Sequence, residues 1–239
     1  FCASGMAGLK RQMTASEILG QLLIGRELVH EGDRLRNVVL MGMGEPLHNY
    51  EAVARALTLM YHPDGLGFGT RRVTLSTSGL VPEINRLAAD FGCKVQLAIS
   101  LHVPDDERRS ALMPINRKHP LAELMDALRR YPLPKRRRIT IEYTLVRGFN
   151  EGLEDASRLA ALLAGLRIKV NLIPMNVVPG NALGPPSWDV VEAFHDRLWE
   201  LDVQTFVRRR KGDDIAAACG HLALAGETKS IKVALPVTR

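Results

Sequence analysis

A parallel α/β sheet, curled into an open or partial barrel, is the fold this chain predicts. Three observations lead there. Short apolar runs rich in β-branched residues alternate with helical patterns along the 239 residues, the order that builds strand–helix–strand units. The strand-like runs number about six, fewer than the eight of a closed barrel. The composition, 46% hydrophobic and 24% charged, is that of a globular chain able to fill a substantial core. At this length one domain over residues 1–239, with a C-terminal segment 204–239, is a better expectation than two.

The elements follow in order. Ser16 to His30 places Ile18, Leu22, Leu23 and Leu28 on roughly one side of a helix. Asn37 to Met43 is a buried strand, and Tyr50 to Tyr61 a helix. Arg72 to Ser76 is a strand; Val81 to Phe91 is a helix with Pro82 tolerated in its first turn. The strand Lys94 to Leu101 leads to a helix near Asp105 to Leu112 and another from Leu121 to Tyr131. The strand Ile139 to Val146, the Ala/Leu-rich helix Glu154 to Leu166 and the strand Val170 to Pro174 come next. The helix Trp188 to Leu201 and the short strand Gln204 to Arg208 precede the segment that carries Cys219. Crossovers between parallel strands are right-handed, so the strand C-termini gather at one mouth, where chemistry collects.

Composition also excludes. No apolar run approaches the ~18 residues of a membrane span, and no charged segment followed by an apolar stretch marks a signal peptide. Cys2, Cys93 and Cys219, three in all, are too sparse for a disulfide framework and suit a reducing, cytoplasmic setting. The net charge of +6 fits a polyanionic partner only weakly. The chain opens on Phe1-Cys2 rather than Met, which leads us to expect a fragment with further sequence upstream.

Four strand ends stand out. Met41-Gly42-Met43-Gly44-Glu45-Pro46 lets the backbone approach a ligand and sets Glu45 to meet a cation; the bland reading is a turn punctuated by Gly and Pro. Leu75-Ser76-Thr77-Ser78-Gly79 offers hydroxyls to a polar ligand or to a helix cap. Ser100-Leu101-His102 shows no partner for a hydrolase triad. Asn171-Leu172-Ile173-Pro174-Met175-Asn176 suits ribose or amino-acid recognition, or an Asx-turn. Beyond them, Cys219 follows the cationic Arg208-Arg209-Arg210-Lys211 and the paired acids Asp213-Asp214, among small neighbours. A cation-rich setting favours thiolate, the nucleophilic form; a packed thiol is the alternative.

Taken together and in order, Phe1-Cys2, the segments 41–46, 71–79, 97–102, 140–143 and 171–176, and Arg209 through Gly220 resemble the radical S-adenosylmethionine (radical SAM) methyltransferases that modify adenine C2 in 23S rRNA and tRNA. The resemblance spans nearly the whole chain. It implies a partial (β/α)6 radical SAM barrel whose first strand and N-terminal domain lie upstream of Phe1. It implies a [4Fe–4S] cluster held by a Cys-x3-Cys-x2-Cys loop, of which Cys2 matches the last cysteine and the other two are absent here. It places Gly44 and Glu45 on the methionine amino group of S-adenosyl-L-methionine. Ser76, Ser100, Leu101, His102 and Asn176 line the rest of the cofactor pocket. It makes Cys219 the S-methylcysteine intermediate: the thiolate takes a methyl from one cofactor molecule, and a 5′-deoxyadenosyl radical from a second removes hydrogen from that methyl. The carbon radical then adds to C2, an electron-poor position that does not attack a sulfonium methyl directly. A second cysteine upstream resolves the adduct, and Cys93, at the other end of the barrel, reads as structural. The partners implied are 23S rRNA, tRNA and an electron donor such as flavodoxin or ferredoxin, with no membrane.

The base must be unstacked to reach the mouth, with cations on the flanking phosphates. Arg208, Arg209, Arg210 and Lys211 precede Cys219 and suit that contact. Arg71-Arg72 and Arg136 to Arg138 precede strands, so they face away from the mouth and read as a solvated face. Other readings are an adenine-C8 rRNA methyltransferase of the antibiotic-resistance type, and a non-catalytic RNA-binding barrel, which the missing cluster cysteines favour. A phosphosugar-type barrel enzyme leaves Cys219 unexplained. On the cysteines present, the chain by itself is expected to be inactive.

Overall fold

The computed structural model describes residues 8–30, 32–42, 44–176 and 183–208. Helix α1 (Ala15–Glu27) is followed by strand β1 (Val38–Leu40) and helix α2 (Tyr50–Tyr61). Then come β2 (Val73–Thr77), α3 (Val81–Phe91) and β3 (Gln96–Ser100). Two helices, α4 (Asp106–Leu112) and α5 (Leu121–Arg130), precede β4 (Ile139–Leu145). The chain continues through α6 (Leu153–Leu163), β5 (Ile168–Pro174), α7 (Trp188–Glu200) and β6 (Thr205–Val207). The six strands form one sheet in chain order, and every neighbouring pair is parallel. The expected α/β barrel topology is therefore present. All six strands lie between residues 38 and 207.

The two faces of the sheet differ in chemistry, and the difference comes from period-two alternation along each strand. Val73 and Leu75 of β2, Leu97 and Ile99 of β3, Ile141 and Tyr143 of β4, and Val170 and Leu172 of β5 join one apolar core. Its other contributors sit on the helices: Val53 and Leu57 of α2, Ile84 and Leu87 of α3, Leu124 and Leu128 of α5, Leu159 of α6 and Phe194 of α7. The intervening residues, Thr74, Ser76, Gln96, Ser100, Thr140, Glu142, Thr144, Lys169 and Asn171, fall on the opposite, polar face. Helices thus cover one side, and the other is left for a polar occupant.

Local chemistry sets most boundaries. Thr14 caps α1 in a reciprocal capping box with Glu17. Asp105 caps α4 by accepting from Arg108 N at 2.8 Å. β1 is shorter than expected because Gly42 and Gly44 take φ of 142° and 115°, which no extended strand continues. α6 stops three residues early, before Gly165 at φ 77°, and β5 starts two residues early to pair Ile168 with Ile139. Along α1 the expected apolar side is divided. Ile18, Leu19 and Leu22 pack on the core, whereas Leu23 and Leu28 remain exposed: Leu23 is five residues from Ile18, well off its side of the helix, and Leu28 lies past the last turn. Short 3₁₀ turns at Pro46–Asn49 and Pro114–Arg117, each opened by proline, were not expected from the sequence. No described helix is long and apolar enough to cross a membrane.

Phe194 is fully buried and its ring lies 5.3 Å from that of Tyr143, joining α7 to β4. Phe194→Ala is expected to lower stability by about 3–5 kcal/mol, read from the midpoint of urea unfolding; a loss below about 1 kcal/mol would place this contact outside the core.

Candidate functional site

The C-terminal strand ends meet at one mouth, and side chains from two of them are tied together. Glu45, after β1, accepts from Leu47 N at 3.0 Å through Oε1. Its Oε2 accepts from Ser78 N at 2.7 Å and Ser78 Oγ at 2.8 Å, after β2. The carboxylate expected to meet a ligand cation therefore first joins two strand ends, leaving part of its acceptor capacity open. The glycines before it are required by conformation rather than by crowding, since a Cβ on Gly42 or Gly44 would meet nothing within 4 Å. That open, positive-φ stretch exposes backbone to the mouth.

Arg109 of α4 lies beneath this mouth, fully buried. Its Nε donates to Leu101 O at 3.1 Å, and its Nη2 to Ser78 O at 2.8 Å and Ser100 O at 3.1 Å. Nη1 donates to Asn116 Oδ1 at 2.6 Å. Asn116 is itself anchored on Asp106 Oδ1 at 2.8 Å. Burial lowers the Arg109 pKa to about 10, partly offset by Asp106, so the guanidinium stays charged at neutral pH. Arg108, the next residue, points the other way, to Asp105, to Asp155 and to Phe149 O. Sequence reading named neither arginine. The available signal was two arginines inside a short capped helix directly after a strand end.

His102 sits at φ 59° with its ring buried. Its Nδ1 accepts from Thr144 N at 3.0 Å. Asn150, also buried, donates to His102 O and Thr144 O at 2.7 Å each and accepts from Val146 N at 2.7 Å. Burial, helped by the Arg109 charge, lowers the His102 pKa to about 3; the imidazole is neutral. Leu101 is fully buried, with its N–H donating to Glu142 O at 3.1 Å. The Ser76 and Ser100 side chains are half-buried on the polar face, and among the described residues no hydrogen bond occupies either hydroxyl. Asn176 lies two residues past β5, and Met175 N beside it donates to Leu145 O at 2.9 Å.

One row of that polar face contains Glu142, which sequence reading did not name as a site residue. Ser100, Glu142, Asn171 and Phe206 are register partners across β3 to β6. The Glu142 carboxylate, only 3% exposed, accepts from Asn171 Nδ2 at 3.2 and 3.3 Å. Burial raises its pKa, opposed by that hydrogen bond and by the charges of Arg208 and Lys169. Alternation along the strand (Thr140, Glu142, Thr144) was the signal for it. Arg208 leaves β6 at the mouth, exposed, its N–H donating to Leu172 O at 2.8 Å. Cys2, Cys219, Arg209, Arg210 and Lys211 lie outside the described residues. Cys93 is exposed just before β3, at the end opposite the mouth as expected, but it is not the packed thiol that a structural reading implies.

A family model described as the Radical SAM superfamily matches residues 1–160. A dual-specificity RNA methyltransferase RlmN of Sorangium cellulosum is 63% identical over 98% of this chain and 60% of its own length. Its counterpart in Geobacter sulfurreducens is 49% identical over 93% of this chain and 60% of its own. The chain thus spans about three fifths of the curated relatives it matches. A crystal structure of a radical SAM methyltransferase from Sphaerobacter thermophilus superposes with a TM-score of 0.88 at 46% identity, covering 92% of this chain and 65% of that one. A domain of pyruvate-formate lyase-activating enzyme from Bacteroides vulgatus shares the fold, with a TM-score of 0.53 at 19% identity over 72% of this chain and 99% of its own.

Two outcomes follow from the geometry. Arg109→Met removes the donor from three strand-end carbonyls, and at ~1–3 kcal/mol for each buried unsatisfied group the unfolding free energy should fall by about 3 kcal/mol or more, with Arg109→Lys intermediate. For His102 the unfolded chain binds more protons than the folded one between about pH 3 and 6.5, so stability should fall as pH drops through that window. The slope due to one such group is at most ~1.4 kcal/mol per pH unit. His102→Gln should flatten the profile; identical profiles would assign the proton uptake to other groups.

Proposed function

Since the chain belongs to the radical SAM superfamily, we propose that residues 1–239 are the catalytic barrel of an RNA methyltransferase acting on adenine C2 of 23S rRNA and tRNA. The observation that carries this reading is the 63% identity to a dual-specificity RNA methyltransferase over 98% of the chain. The mouth supplies physical support. An S-adenosyl-L-methionine molecule carries an ammonium, a carboxylate, a sulfonium, a ribose and an adenine. The groups described here suit such a ligand: exposed glycine backbone at Gly42 and Gly44, the remaining acceptor capacity of Glu45, two open hydroxyls, and the Glu142–Asn171 pair.

The roles divide by strand. The backbone around Gly44 and Glu45 receives the methionine amino group, and the Ser78–Glu45 bonds hold that loop against β2. Ser76 and Ser100 offer hydroxyls from the polar face. Leu101 and His102 present the β3 end, with the His102 ring serving as a neutral acceptor fixed by Thr144 and taking no proton at neutral pH. Asn176 closes the pocket from the β5 side. Cys2 contributes one thiolate to a [4Fe–4S] cluster, which when bound supplies the electron for reductive cleavage of the cofactor. A small redox protein such as flavodoxin or ferredoxin delivers that electron, in the cytoplasm.

Cys219 carries the methyl group. Its thiolate, favoured by the cations Arg208 to Lys211 before it in sequence, attacks the sulfonium methyl carbon and becomes a thioether, while the methyl–sulfonium bond breaks and S-adenosylhomocysteine leaves. The same cations, close to Cys219 in sequence, suit the phosphates that flank an unstacked adenine.

In the full-length enzyme, Cys219→Ala is expected to abolish RNA methylation while the absorbance of the cluster is retained; loss of the cluster would make Cys219 a ligand instead. Mass spectrometry of RNA from the wild-type reaction should show 2-methyladenosine. Finding 8-methyladenosine alone would overturn the assignment in favour of C8 chemistry.

A further inference from the structure

Two adjoining concavities lie at the end of the barrel opposite the mouth. One, of about 240 Å³, is lined by Lys135, Arg136, Arg137, Arg138 and Arg167 and by no other residue. Arg138 and Arg167 also border the adjoining concavity of about 410 Å³. Five cations and no acid at one hollow is an unusual way to arrange a solvated face. Five exposed arginines elsewhere have an acidic partner: Arg11 with Glu17, Arg86 with Glu51, Arg129 with Asp126, Arg158 with Glu154 and Arg197 with Glu200. None of the five has a carboxylate partner among the described residues.

The hollow is also built rather than accidental. Arg167, from the turn before β5, donates to Leu133 O at 2.6 Å and Pro134 O at 2.8 Å, pinning the loop that carries the other four. Arg137 donates to Thr70 Oγ1 at 2.8 Å and to Cys93 O, tying the same loop to the turns before β2 and β3. Arg71, Arg72 and Lys94 stand in those turns, so the positive field extends across the floor of the barrel. Held guanidinium forks are suited to phosphate oxygens, and like charges held together gain most from an occupant that repeats its negative charge.

We infer that this floor is a second RNA contact, taking backbone phosphates of the RNA body while the target base enters the mouth. The inference rests on the RNA-methyltransferase reading above. It extends the footprint by roughly the length of β4, ~3.3 Å per residue over 7 residues, plus the loops at either end. An RNA long enough to pass around the barrel engages both ends; a short hairpin engages the mouth alone.

The test uses the full-length enzyme with Lys135→Glu, Arg136→Glu and Arg138→Glu combined, leaving the loop-holding Arg137 and Arg167 in place. Binding of intact tRNA should weaken at least tenfold at low salt. The slope of log K against log salt should shrink by about 0.7–0.9 for each phosphate contact removed. The combined Gln variants should shift both in the same direction by less. Methylation of a short stem-loop should be unchanged, which also shows that the variant is folded. Unaltered tRNA affinity and slope would overturn the inference, as would unaltered RNA binding with slowed reduction by an acidic electron-donor protein, since the floor would then be that protein's surface. Failure of the wild-type enzyme to methylate either RNA would count against the underlying function instead.

Discussion

The buried guanidinium of Arg109 is the constraint on which the mouth depends. Strand C-termini end in carbonyl groups that no longer belong to a ladder, and buried carbonyls without donors are costly. One side chain answers three of them, on Ser78, Ser100 and Leu101, across two strands. Its fourth bond, to Asn116, locks the arginine to the turn after α4. No carboxylate touches it directly, so the charge is spread over backbone dipoles aimed at it. That arrangement fixes the β2 and β3 ends at a definite separation. Glu45 then extends the same frame to β1 through Ser78. A ligand meeting Glu45, Ser76 and Ser100 meets groups already set relative to one another, which spares it the ordering cost.

Burial, with the same charge as the second cause, explains the state of His102. A buried imidazole with Arg109 nearby does not hold a proton at neutral pH. It therefore acts as a neutral hydrogen-bonding group, with Thr144 N fixing Nδ1 as the acceptor. Asn150 completes the junction by bonding the backbone of His102, Thr144 and Val146 together. What stands in sequence as a Ser–Leu–His motif is in space a backbone junction between β3 and β4, and the open hydroxyl of Ser100 is the part that still faces an occupant.

Much of this architecture is legible in the sequence because its signals are local. Strands bounded by apolar runs, and α2 and α3 with their proline and glycine punctuation, coincide with the expected spans. Boundaries moved where backbone conformation overrode the apolar pattern, as at Gly42 and Gly44, or where pairing with a neighbour recruited residues that look polar, as at Lys169. The strand ends expected to form one mouth do so, because a parallel sheet in chain order leaves no other arrangement. Arg109 and the Asn150 junction were illegible for the opposite reason. Their partners include backbone carbonyls 31 and 48 residues away, and no sequence pattern encodes a side chain's bond to a distant main-chain oxygen. Glu142 is an intermediate case: period-two alternation marks it as facing away from the core, but not as the neighbour of Asn171.

Charge shows most clearly what a sequence leaves out. A net +6 gives the sign of the field and nothing of its place. Within the described residues, most arginines on the helices are matched by acids three or four positions along the helix or on a neighbour, so they contribute little to any long-range field. Cations without an acidic partner among the described residues gather in the turns before β2, β3, β4 and β5, and Arg208 leaves β6 at the mouth. Arg136 to Arg138 read in isolation is a solvated run. The turn before β5 changes that reading, because Arg167 comes from a distant segment to close the hollow and spends its hydrogen bonds on holding the loop. A cationic floor at one end of the barrel and Arg208 at the other, separated by the hydrogen-bonded interior of the sheet, match an extended polyanion better than a small anionic substrate. A small anion needs one such end; a chain of phosphates can use both.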